Sequence, residues 1–143
     1  MRLYLDTNIL IFMWNGELDC IDSDTFALLK GYENILYTST VCVQELIHLC
    51  QIGKISSNNK RVSSPIKAEE VLKWLESTAV NIVSVNKSHL QKYALLPLFD
   101  NHRDPNDRLI IAQAISDKIS LVSSDRKFEQ YKKNGLKMIF NNR

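Results

Sequence analysis

Glycine, proline and cysteine are all scarce in this chain, with four, three and three copies among 143 residues. So few breakers exclude a collagen-like or a Pro/Gly-rich disordered chain. Cys20, Cys42 and Cys50 are odd in number and lack the paired short spacing of a zinc site, which argues against disulfides and for a reduced intracellular compartment. No apolar run approaches the roughly 20 residues of a membrane span. Arg2-Leu3-Tyr4-Leu5-Asp6 directly after Met1 leaves no room for a signal peptide, so the expectation is a cytoplasmic protein without a membrane partner. An excess of one charge is missing too. The 18 basic and 16 acidic residues give a formal charge of +2, with none of the broad basic field that announces nucleic acid.

What is present is 45% apolar composition, enough for one core of ordinary size, so residues 1–143 read as a single domain. Short apolar strands are expected at 3–5, 35–37, 81–85, 119–122 and 136–140. Helices are expected at 9–14, 22–30, 41–52, 67–77, 88–96, 104–117 and 124–133, with Ser39 or Thr40 capping the third and Gly53 stopping it. The segment 54–65, rich in Ser, Asn, Lys and Arg, reads as a surface loop. Strand and helix alternate, which predicts a three-layer α/β/α sandwich with a central, mainly parallel sheet. In such a sheet, ligands collect beyond the carboxyl ends of the strands.

Single acids have ordinary explanations. Asp6 can cap the helix it precedes; Asp104, followed by Pro105 and by Asp107 three residues on, reads as a helix start; Asp125 is well placed as a first-turn acid. Glu45 is harder to dismiss, because turn spacing aligns it with Val41, Leu49 and Ile52 in an apolar stripe. Asp107 likewise precedes Ile110, Ile111 and Ala114 on the side expected to face the sheet. Asp6 and Asp125 follow strands, and Glu45 and Asp107 lie near the starts of helices leaving the same edge, so the four converge. Crowded carboxylates need a compensating cation, and hard oxygen ligands suit Mg2+, with Mn2+ as a substitute. An ion held with open positions binds phosphate oxygens and activates water, which points to phosphodiester hydrolysis with one or two ions.

Four stretches then bear a resemblance. Met1-Arg2-Leu3-Tyr4-Leu5-Asp6-Thr7-Asn8, residues 39–45, His102-Arg103-Asp104-Pro105-Asn106-Asp107-Arg108-Leu109-Ile110-Ile111-Ala112-Gln113-Ala114 and Val122-Ser123-Ser124-Asp125 resemble the successive signatures of PIN-domain proteins, and of the VapC-type toxins in particular. The resemblance implies a magnesium-dependent endoribonuclease, with Asp6, Glu45, Asp107 and Asp125 as catalytic and metal-holding acids. It also implies Asn8 and Ser123 as polar supports and Asp104 as an auxiliary acid. Its implied partners are an RNA substrate and a cognate antitoxin protein, within a homodimer or a toxin–antitoxin hetero-oligomer. The alternatives are a PIN-like RNA-processing nuclease without antitoxin and a non-catalytic interaction domain that retains the fold. A phospho-accepting receiver-like domain explains neither Glu45 nor the match around Asp107.

Neighbouring residues divide between roles. Arg103 and Arg108 can bind an RNA phosphate through bidentate guanidinium donors, or pair with Asp104 and Asp107. His102 can carry a proton, although a loop histidine is more often incidental. His48, one turn after Glu45, is not expected to be a ligand, since magnesium sites seldom use imidazole. Lys54, Lys60, Arg61 and Lys67 read as solvated surface. Phe12 and Trp14 read as core, with antitoxin docking as their other use.

Overall fold

A computed structural model describes residues 1–55 and 68–143. Most of the expected loop at 54–65, with Lys60, Arg61 and Lys67, therefore lies outside the described residues.

The chain opens with strand β1 (Arg2–Leu5), of which Leu3, Tyr4 and Leu5 are buried. Asp6 then turns it into helix α1 (Thr7–Asn15), accepting a hydrogen bond from the Thr7 amide at 2.7 Å. Gly16, at φ 71°, closes that helix in the left-handed region that glycine adopts without strain. Helix α2 (Ser23–Lys30) is capped by Asp22, and strand β2 (Ile35–Ser39) hands over to α3 (Thr40–Gln51) through Ser39, whose hydroxyl accepts from the Val41 amide. Helix α4 (Ala68–Ser77), strand β3 (Val80–Val83), helices α5 (Lys87–Leu95) and α6 (Pro105–Asp117), and strand β4 (Ser120–Ser123) follow. The expected helix at 124–133 is a 3₁₀-helix, Arg126–Asn134, before strand β5 (Met138–Phe140). A further 3₁₀ turn, Leu18–Cys20, had no sequence signal of its own.

Among the described residues the strands form one sheet in the order β3-β2-β1-β4-β5, with every pairing parallel. Parallel strands need crossovers, and right-handed crossovers place the helices after β1 and β2 on one face and those after β3 and β4 on the other. The result is the three-layer α/β/α sandwich. Strand β1 is the point where the order reverses: the chain leaves it toward β2 and returns on its other side as β4. The helices after β1 and β4 diverge there and leave a crevice at the carboxyl edge. No helix among the described residues is long and apolar enough to cross a membrane.

One expectation about a helix face is corrected, and one about the core holds. The buried side of α3 is Cys42, Val43, Leu46 and Cys50, while Val41, Leu49 and Glu45 are half-buried and Ile52 is exposed. Glu45 thus borders the apolar face and is not within it, which leaves its carboxylate free to reach the crevice. Phe12 and Trp14 are both buried, with Trp14 edge-on to Trp74 at 5.1 Å between ring centroids. They are core residues and offer no docking surface.

Candidate metal centre

Asp6 lies at the carboxyl end of β1, 3% exposed, and its backbone N–H continues the sheet by donating to Val122. Its carboxylate is held by three donors: the Thr7 amide on Oδ1, and the Ser123 hydroxyl at 2.7 Å and the Asn8 amide at 3.1 Å on Oδ2. Asn8 also accepts from the Ser124 amide, and Ser123 Oγ accepts from the Asp125 amide at 3.1 Å. Asn8 and Ser123 therefore tie the end of β1 to the end of β4 and orient two acids at once.

Glu45 accepts a hydrogen bond from the Thr7 hydroxyl at 2.8 Å, which links α3 to the first turn of α1. The sequence carries no signal for Thr7 beyond its place beside Asp6. Asp125 caps the 3₁₀-helix, accepting from the Lys127 amide. Asp104 is exposed and caps α6 by accepting from the Asp107 amide at 3.0 Å, so its observed contact is the helix-start role. Its charge nevertheless acts on Asp107.

Asp107 is the acid most affected by its surroundings. Burial, then the charges of Asp6, Asp104, Glu45 and Asp125, push its carboxyl up to about 8. Burial likewise raises Asp6 to about 6, even though its hydrogen bonds from Ser123 and Thr7 favour the charged form, and Glu45 and Asp125 push it further up. The four predicted acids are thus brought within electrostatic reach of one another. Among the described residues no lysine or arginine forms an ion pair with any of them. The cluster has the oxygen donors a hard divalent ion takes and lacks an internal counter-charge, so these residues fit a metal.

The arginines do not serve the site as expected. Arg103 is exposed and pairs with Asp100 at 3.8 Å. Arg108 is buried, donates to the carbonyls of Leu96 and Pro97, and lies over the Tyr93 ring at 4.8 Å. Helical periodicity carries position 108 off the face that Asp107 occupies, and the carbonyls of the 96–104 connection capture its guanidinium. It ties that connection to α6, and neither a phosphate nor Asp107 is its partner.

His102 is also placed otherwise than expected. It is 4% exposed, its Nδ1 lies 2.8 Å from the Tyr131 hydroxyl, and its Nε2 lies 3.6 Å from Asp107 Oδ2. One potential ligand atom from each of His102, Asp107 and Asp125 lies within 4.8 Å of the other two. His48 is exposed on α3, as expected of a residue outside the site.

Comparison with known proteins adds the lineage. The family described as PIN domain matches residues 3–134. No curated protein matches the chain closely enough to count as a relative. Among solved structures, VapBC2 from Rickettsia felis, bound to a DNA fragment from its promoter, aligns with a TM-score of 0.68 at 20% identity, covering 99% of this chain and 100% of that one. VapBC-1 from nontypeable Haemophilus influenzae aligns with a TM-score of 0.63 at 22% identity over 98% of each chain. VapBC-5 from Mycobacterium tuberculosis, a member of the VapBC family of toxin–antitoxin systems, aligns with a TM-score of 0.60 at 19% identity over 97% of this chain and 98% of that one. At these identities the likeness is one of fold.

Proposed function

The chain belongs to the PIN-domain family, and from that premise we propose that it is a magnesium-dependent endoribonuclease and the toxin component of a toxin–antitoxin pair. The observation that carries the nuclease reading is the gathering of acids at the carboxyl edge of the sheet, Asp6 held by Thr7, Asn8 and Ser123, Glu45 by Thr7 and Asp125 by Lys127, around an Asp107 carboxyl that burial and these charges push up. A folded protein keeps such a cluster at a cost to its own stability, and a cation that offsets the repulsion accounts for it.

Asp6, Glu45, Asp107 and Asp125 would hold Mg2+, or Mn2+ in its place. When bound, the ion would supply Lewis-acid activation of water and charge stabilisation at a phosphate oxygen. The chain's own residues fix where that happens. Asp6 is immobilised by Ser123, Asn8 and the start of α1; Glu45 is aimed by Thr7; Asp125 is aimed by the first turn of the 3₁₀-helix. Asp107 accepts no hydrogen bond on its carboxylate among the described residues, so without a cation it retains a proton at neutral pH. It is the acid whose protonation state answers most directly to what occupies the crevice.

The antitoxin and RNA follow from the family: solved structures of this fold include a member of the VapBC family of toxin–antitoxin systems. The partnered form would be a homodimer or a toxin–antitoxin hetero-oligomer. The compartment would be the cytoplasm.

The test is cleavage of total cellular RNA by the purified protein with Mg2+, with chelator, and with Asp6→Asn in parallel. Asn keeps the side-chain oxygen that caps α1 but removes the buried charge, so the variant is expected to fold and to lose cutting by at least about a hundredfold. Wild-type cleavage that persists in chelator, or an Asp6→Asn variant of full activity, would sink the reading.

A further inference from the structure

The proposed function uses the four acids and leaves His102 without a task. Its side chain is 3% exposed, and Nε2 is buried with no hydrogen-bond partner among the described residues. The 3.6 Å to Asp107 Oδ2 is beyond a hydrogen bond. Nor can the ring turn away. Phe128 and Tyr131 pack edge-on against it at 5.4 and 5.3 Å, and the His102 amide is bound to the Phe99 carbonyl. A buried nitrogen left unsatisfied in so well packed a place calls for a partner that the protein chain does not supply.

One ligand atom from each of His102, Asp107 and Asp125 lies within 4.8 Å of the other two, a spacing that one ion can bridge. Resting on the metal-nuclease reading above, we propose that His102 Nε2 is a metal ligand with Asp107 and Asp125, creating a mixed nitrogen–oxygen position that prefers a divalent transition ion to magnesium. Mg2+ takes oxygen ligands and gives up its water reluctantly, whereas imidazole favours later transition ions. To offer its lone pair, the ring must carry its hydrogen on Nδ1 and donate it to the Tyr131 oxygen 2.8 Å away. A ligand histidine ordinarily makes such an outer bond, which fixes tautomer and orientation. Tyr131 is therefore a positioning residue for the metal.

The experiment titrates metal-free protein with Co2+ and, separately, with Mg2+ by calorimetry, for wild type, His102→Gln, Tyr131→Phe and, as a control, His48→Gln. His102→Gln is expected to weaken Co2+ by about tenfold or more and Mg2+ by less than about twofold; Tyr131→Phe should weaken Co2+ by about tenfold. His48→Gln should change neither. Because His102 is packed into the interior, circular dichroism checks that its variant folds, and electron spin echo spectroscopy of Mn2+-loaded wild type and His48→Gln gives an answer that needs no change at position 102. Imidazole nitrogen coupling in both supports the ligand. A folded His102→Gln with unaltered Co2+ affinity, or Mn2+ bound without nitrogen coupling, overturns the proposal while leaving the four-acid site standing. Binding of none of these ions by wild type overturns both.

Discussion

Asp107 shows how a single residue can be unfavourable to the fold that places it. Its carboxyl titrates near the ordinary 3.8 in the unfolded chain and near 8 in the folded protein, so between those values the folded state holds more protons. Stability attributable to this group is therefore lost as pH rises through that window. Asp107→Asn keeps the shape and removes the charge. In metal-free protein at pH 8 it should raise unfolding stability by on the order of 1–3 kcal/mol, a figure reduced for the group's partial exposure, and it should abolish magnesium-dependent cleavage. Urea denaturation measures the first, and equal or lower stability would show that the repulsion is not borne by this side chain. Position 107 was readable from its place before Ile110 and Ile111, whereas Arg108 was not. Sequence shows that a guanidinium has donors, but the Leu96 and Pro97 carbonyls that receive them belong to a connection whose path is set by packing.

At the scale of elements, helices α5 and α6 are joined by a polar staple. The His89 ring accepts the Asn86 amide on Nδ1, which completes a capping box, and its Nε2 meets Asp117 Oδ1 at 2.8 Å near the end of α6. Asp117 also accepts from the Tyr4 hydroxyl of β1, and Gln113 reaches both that hydroxyl and the Val83 carbonyl. His89 is fully buried. His89→Ala would strip a cap and leave Asp117 short of a donor, with an expected cost of about 2–4 kcal/mol in thermal or urea unfolding. A loss below about 0.5 kcal/mol would show that the staple is not structural. Helix starts were legible because Asp22, Ser39 and Asp104 carry the right oxygen at the right place. The staple was not, because it joins residues 28 and 113 positions apart.

For the molecule as a whole, the acid cluster couples folding to cation and proton together. Metal binding must displace protons from Asp107, near 8, and Asp6, near 6, so the affinity for Mg2+ should strengthen as pH rises from about 6 to above 8. An ion at a hundred times its dissociation constant stabilises a protein by about 2.7 kcal/mol. At one fixed magnesium concentration the rise in melting temperature should therefore be larger at pH 8.5 than at pH 6. Calorimetric scans with and without Mg2+ at the two pH values check this, and a pH-independent shift would mean that the ion binds away from these acids.

The sequence by itself determined the alternation of strand and helix, hence the parallel sheet. By the end of β1, the end of β4 and the starts of α3 and α6, it also determined that Asp6, Asp125, Glu45 and Asp107 would share one edge. Periodicity and caps are local, and a parallel sheet turns local position into convergence. Only the tertiary structure decided which neighbours complete the site. It turned Arg108 away, brought Thr7 to Glu45, and carried His102 from an apparent loop into a buried position beside Asp107. The last of these depends on how the connection from α5 to α6 packs on Phe128 and Tyr131, contacts between residues distant in sequence that no local pattern specifies.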